Sequence, residues 1–175
     1  NGKQCELFEQ EFPAHITPPR VLLTNCCTSA LNLALKSLGI GPGDEVIVST
    51  VNFVACAGAV VDMGARPVFA DCDPRTLNIL PSEIERLRTR RTKAVFILHY
   101  GGHPADVDAI KQACGDRLLL IEDSANSVSS SYKGRMCGTL GDAGVFSFDA
   151  MKILVMVDGG ALVLKDEAAI QRARA

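Results

Sequence analysis

The sequence predicts an α/β fold, a three-layer and mostly parallel sheet with helices on both faces. Three observations carry that prediction. Short apolar runs alternate with helical patterns, the arrangement of parallel strands joined by crossover helices. The runs are bounded by clusters such as Gly39-Ile40-Gly41-Pro42-Gly43-Asp44, where Gly and Pro break both regular structures. Small polar residues follow directly on several runs, and doubly wound sheets bind ligands beyond the carboxyl ends of their strands.

Taken in order, residues 21–24 read as a short buried strand. Residues 28–38 (TSALNLALKSL) read as a helix with Leu31, Leu33, Ala34 and Leu38 on its inner face. After the turn at 39–44, residues 45–49 form the next strand, 53–63 the next helix and 67–70 a further strand. The acidic turn Asp71-Cys72-Asp73-Pro74 precedes a helix at 81–87, with Pro81 at its start and Ser82 and Glu83 early in it. Residues 94–99 and 118–122 are strands flanking a helix at 105–114. Residues 144–148 and 160–164 are shorter strands, and a last helix spans 166–175. No element is assigned before Val21. No repeat, low-complexity stretch or linker interrupts the pattern, so the 175 residues are expected to form one domain.

Bulk properties narrow the function classes. A net charge of −2 gives no reason to expect binding to nucleic acid or to an anionic membrane. No apolar run reaches the ~18 residues of a membrane span, and neither a span nor a signal peptide is expected. The cysteines are seven, odd in number, scattered and without a CxxC pair. They fit a reducing cytoplasm better than a disulfide framework or a zinc site.

Three segments could carry chemistry. Thr24-Asn25-Cys26-Cys27-Thr28-Ser29-Ala30-Leu31 leads from a buried strand into an amphipathic helix, so its free N–H groups offer an anion site. A plain N-cap by Thr28 or Ser29 explains the same residues. Ile121-Glu122-Asp123-Ser124-Ala125-Asn126 ends the most apolar strand with two carboxylates on opposite faces, which excludes an acid/base pair. One acid there suits a cationic ligand group, a metal, or the N–H groups of a following helix. In Val145 to Val157 a single lysine, Lys152, lies within a long apolar stretch. Desolvation lowers a lysine's pKa and frees a nucleophilic amine that forms Schiff bases with aldehydes such as pyridoxal phosphate. The alternative is a lysine snorkelling from a strand edge. His99 and His103, followed by Asp106 and Asp108, suggest a metal site, but helix capping accounts for the acids. Phe53, just beyond a strand end, reads from the residues alone as core.

Together and in this order, the segments resemble the sugar aminotransferases of the DegT/DnrJ/StrS type, in the aspartate-aminotransferase-like, fold-type I superfamily. The resemblance runs from Phe8-Glu9 to the end. It includes TNCCTSALNLAL, GIGPGDEVIV, GARPVFADCDPRTLNI, HYGGHPADVDAI, IEDSANS, YKGRMCGTLGDAGVFSFDAMK and DGGALV. It implies a large domain that binds pyridoxal 5'-phosphate (PLP). Lys152 then matches the Schiff-base lysine and proton shuttle, and Asp123 the acid that pairs with the pyridine nitrogen. Thr28, Ser29 and Ser147 match the phosphate ligands, and Phe53 the aromatic that stacks on the ring. Asn126 stands where the family usually has Gln, near the ring's 3-hydroxyl, and Asn reaches less far.

The implied reaction moves an amino group from an amino acid, with glutamate the expected donor, to a keto group of a nucleotide-linked sugar. A related dehydratase branch has histidine where Lys152 stands, so lysine favours amino transfer. The family forms homodimers with shared active sites. Its members carry a further small C-terminal domain, so residues 1–175 are expected to be an incomplete large domain, a fragment inactive alone. Two local departures are Asp149 in place of the commoner histidine and Met156-Val157 before Asp158-Gly159-Gly160. Val157 cannot take positive φ cheaply, so that loop is expected to differ. A rival reading is a non-catalytic binding or dimerisation module, against which Lys152, Asp123 and Ser147 stand. A dinucleotide-binding oxidoreductase is disfavoured because Gly39, Gly41 and Gly43 precede a strand and no GxGxxG occurs.

Overall fold

The computed structural model describes residues 2–16 and 20–174. The chain opens with α1 (Lys3–Ile16), a helix that the sequence analysis did not anticipate because Pro13 lies inside it and no capping signal precedes it. Tertiary contacts hold it. Phe8 and Phe12, one helical turn apart, stack at 4.8 Å, and Phe12 meets Phe146 and Phe148 edge-on.

Strands and helices then alternate: β1 (Val21–Thr24), α2 (Cys27–Ser37), β2 (Glu45–Ser49), α3 (Ala55–Asp62), β3 (Arg66–Ala70), α4 (Pro81–Leu87), β4 (Thr92–Leu98), α5 (Val107–Cys114) and β5 (Leu119–Asp123). A two-strand hairpin, β6 (Ser131–Tyr132) and β7 (Arg135–Met136), precedes β8 (Ala143–Ser147), β9 (Gly160–Leu164) and α6 (Glu167–Arg174). The expected elements are all present, with ends moved by one to two residues. Ala175, the expected end of the last helix, lies outside the described residues.

One seven-stranded sheet runs in the order β1-β9-β8-β5-β4-β2-β3. Only β9 is antiparallel to its neighbours, and the other six strands point the same way. Period-two alternation sorts their side chains into two layers. On β4, Ala94 and Phe96 join the core beneath α2, α3 and α6, whereas Val95 and Ile97 join the core beneath α4 and α5. A third cluster unites α1 with Phe146, Phe148, Ala161 and Val163. This architecture gathers the ends of β1, β2, β5 and β8 along one rim, where all the candidate residues lie.

Candidate active site

The first part of the site is the junction of β1, β8 and β9. Thr24 and Ser147 both pair with Gly160, so the ends of β1 and β8 meet the start of β9 in register. A Cβ at residue 160 would stand 2.5 Å from the Cys26 carbonyl carbon and 2.6 Å from the Cys27 nitrogen. Glycine therefore lets the first turn of α2 settle directly on β9, beside Ser147.

That turn is not capped as expected. Cys26, not Thr28 or Ser29, occupies the N-cap, in extended conformation and without a side-chain capping bond. The reason is register: α2 begins one residue earlier, which places Thr28 and Ser29 inside its first turn. Thr28 is exposed, and the Ser29 hydroxyl lies 3.4 Å from the Cys26 sulfur. The Ser29 hydroxyl, with the N–H groups of Ser29 and Thr28, holds the Cys26 thiol below its usual pKa. A place that favours a thiolate favours other anions, a phosphate among them.

The second part is the end of β5. Asp123 lies on the α2–α3 side and Glu122 on the opposite one, as period two demands. Both are buried. Glu122 accepts from the Gly138, Leu140 and Gly141 N–H groups at 2.8, 2.5 and 2.6 Å, and its Oε2 lies 2.9 Å from His99 Nε2. His99 Nδ1 accepts the Ala105 N–H at 3.1 Å, which leaves the ring proton on Nε2 to be donated to Glu122. Both nitrogens of His99 are thus engaged, Asp106 caps α5 and Asp108 pairs with Lys133 and Arg135. Among the described residues no group of three or more His, Cys, Asp and Glu side chains could hold a metal.

Asp123 has fewer partners. Oδ1 accepts the Ala125 N–H at 3.1 Å and Oδ2 accepts the Cys56 thiol at 3.1 Å. No helix follows it, so the capping alternative fails. Burial raises its pKa, against the lowering effect of Cys56, Ala125, Lys152 and His99. Cys56 is a site residue that the sequence analysis missed. Its one signal was helical spacing, three residues after Phe53.

The third part is the β8–β9 connection. Lys152 is half-buried, and its Nζ donates to Asn126 Oδ1 at 3.2 Å, which brings two candidates together. Its apolar neighbours are not buried. Met151 is 91% exposed and Val157 83%, with Ile153, Leu154, Val155 and Met156 also in contact with solvent. The stretch is an open loop, so within this chain neither a buried strand nor a strand edge surrounds the amine. Val157 adopts φ +69°, the conformation expected to be avoided, and Met156 N–H closes the loop onto the Phe148 carbonyl at 2.9 Å. Phe53 is 73% exposed, which overturns its reading as core. The helix begins at Ala55, so the Phe53 ring stays outside the layer that Cys56 and Ala59 enter.

Comparison with known proteins gives the family and agrees with the fold. A 2,3,6-trideoxy-sugar enzyme of Saccharopolyspora spinosa, dTDP-4-dehydro-2,3,6-trideoxy-D-glucose 4-aminotransferase, is 48% identical over 99% of this chain and 46% of its own length. The aminotransferase TlmJ of Streptoalloteichus hindustanus superposes with a TM-score of 0.95 at 48% identity, over 99% of this chain and 48% of that one. A chain from Streptococcus pneumoniae, solved in PLP and PMP forms, superposes with a TM-score of 0.93 at 26% identity, over 99% of this chain and about half of that one. The chain spans about half the length of the curated relatives it matches. No helix among the described residues is long and apolar enough to cross a membrane. The family model for the DegT/DnrJ/EryC1/StrS aminotransferases matches residues 1–175, and the chain belongs to that family.

Proposed function

We propose that the protein is a PLP-dependent aminotransferase that moves an amino group from an amino acid, with glutamate the expected donor, to a keto group of a nucleotide-linked sugar. The observation that carries this reading is Asp123. A buried carboxylate with no ion pair among the described residues and with acceptor positions left free suits a cationic ligand group, and it stands on the rim that also holds Lys152. The donor set fits the cofactor: an acid for the ring nitrogen, an amine for the aldehyde, and an anion-favouring helix start for the phosphate.

Each residue then has a task. Asp123 accepts the hydrogen bond of the ring nitrogen and keeps the proton there. Thr28, Ser29 and Ser147 hold the phosphate, with the first-turn N–H groups of α2. The exposed face of Phe53 packs against the ring. Asn126, which accepts from Lys152 Nζ, steadies that amine and would serve the ring's 3-hydroxyl. Lys152 would supply the amine that holds the aldehyde and would move a proton at Nζ during transfer. When bound, PLP supplies the aldehyde carbon and a ring that takes up the electron pair released at the substrate carbon.

In this reading residues 1–175 are the large cofactor-binding domain, and the remaining length of the relatives supplies the small domain and substrate contacts. A homodimer with shared sites is supported by the exposed apolar side chains at the rim, Phe53, Val54, Met151, Ile153 and Val157. The nucleotide-sugar substrate is supported by the Saccharopolyspora relative, and PLP by the PLP and PMP forms of the Streptococcus structure.

The test is a visible spectrum with PLP, before and after borohydride, of a chain that carries residues 1–175 together with the remaining length of its relatives, beside its Lys152→Ala variant. A band in the wild type that reduction traps on Lys152, and that glutamate discharges, is expected. A band of equal strength in Lys152→Ala would refute the assignment of the lysine. Wild-type protein that takes up PLP but leaves it unaltered by any amino acid would instead favour a binding module.

A further inference from the structure

We propose that Cys56 is a positioning residue for Asp123, its thiol fixing the carboxylate so that the remaining lone pairs face the cofactor ring. The inference rests on the PLP reading above. Its starting point is the 3.1 Å contact from the Cys56 sulfur to Asp123 Oδ2, made between side chains 67 residues apart and both buried.

Each carboxylate oxygen has one protein partner, and the two partners come from different sides. The Ala125 N–H engages Oδ1 from the turn after β5, and the Cys56 thiol engages Oδ2 from α3. Two donors in different directions stop rotation about the Cβ–Cγ bond. A carboxylate has about four acceptor positions. Two are taken, and the others remain for a ligand.

Helix α3 ties this task to the cofactor in a second way. The Cys56 N–H donates to the Phe53 carbonyl at 3.3 Å, so one turn of backbone carries both the ring that packs on the cofactor face and the thiol that holds the acid. Any shift of that turn moves the two together.

The thiol is also kept in its donor form. Burial first, and then the charge of Asp123, push its pKa well above the ordinary value, so the proton stays on sulfur. The titratable groups that bear on Asp123 are Cys56 of α3, Lys152 of the β8–β9 loop and His99 after β4. Cys27 of α2 is a fourth group nearby, and burial raises its thiol in the same way. Of these, Cys56 alone forms a side-chain hydrogen bond with the carboxylate among the described residues.

The experiment compares Cys56→Ala and Cys56→Ser with wild type. Asp123 is titrated in cofactor-free protein by carbon-13 NMR of its carboxyl, with Asp123→Asn to assign the signal. Alanine removes a donor and is expected to raise the Asp123 pKa by about one unit, whereas the stronger O–H donor of serine lowers it. In a PLP-loaded chain that also carries the remaining length of the relatives, Cys56→Ala is expected to shift the pH profile of the cofactor band and reduce kcat about tenfold with little change in KM, and Cys56→Ser to restore both. Titrations unmoved by both substitutions, or moved in the same direction by both, would overturn the proposal. The cofactor-free titration reads the Cys56–Asp123 contact without PLP, whereas failure of the wild type to bind PLP would sink the parent reading alone.

Discussion

On β5 two adjacent carboxylates are both buried, Glu122 at 0% exposure and Asp123 at 3%. Glu122 is surrounded by donors: three backbone N–H groups from the 138–141 turn and the imidazole of His99. Asp123, on the opposite face, receives one backbone N–H and one thiol. Burial alone therefore does not mark a functional acid. A saturated carboxylate is a structural anchor, and its charge is satisfied by the fold. An under-satisfied one at a strand end keeps acceptor capacity for a ligand.

The largest effect that sharpens this comparison is expected from Glu122→Ala. It leaves His99 and three backbone N–H groups buried without an acceptor, at a cost of about 3–5 kcal/mol in urea unfolding. If Asp123→Asn destabilises the protein as much, the two acids do not differ in kind. Next comes Gly160→Ala, whose Cβ must push the first turn of α2 away from β9. We expect a loss of about 1–3 kcal/mol and weaker PLP uptake, read by unfolding and by the visible band. Uptake unchanged in the folded variant would separate the helix start from phosphate binding.

Asp123→Asn should abolish transfer yet make cofactor-free protein about 1 kcal/mol more stable at neutral pH, since it removes a buried, unpaired charge. The sign follows from linkage. With a folded pKa raised above the unfolded one, the folded state binds more protons between the two values. Wild-type stability therefore falls as pH rises from the ordinary carboxylate range through the folded pKa. Unfolding curves across that range should show the decline in wild type and not in Asp123→Asn. A parallel decline in both would assign it to another group. The smallest effect concerns the loop that carries Lys152. Val157→Gly relieves a β-branched residue at φ +69° and is expected to add up to about 1 kcal/mol. Lower stability would show that the Val157 side chain has packing value outside these residues.

The place of the candidate residues was legible before the structure for a physical reason, and their proposed tasks came from the family resemblance. Asp123 and Ser147 end strands, Thr28, Ser29, Phe53, Asn126 and Lys152 follow strand ends, and a parallel sheet collects strand ends on one rim whatever its loops do. The opposite faces of Glu122 and Asp123 followed from period two. Less legible was anything set by contacts between distant segments. Helix α1 was hidden because its stability comes from Phe146 and Phe148, more than 130 residues away, and not from its own caps.

By itself the sequence determined the α/β class, the order of strands and helices along the chain and which segments end at the rim, since hydrophobic period and turn chemistry are local. Tertiary structure alone decided how those residues are used. It exposed Phe53 by starting α3 two residues later, and it turned the apolar run around Lys152 into an open loop. It also placed Cys56 on Asp123 and surrounded Glu122 with N–H groups. Those outcomes depend on which elements pack together, and hydrogen bonds across 67 residues of chain leave no periodic trace in the sequence.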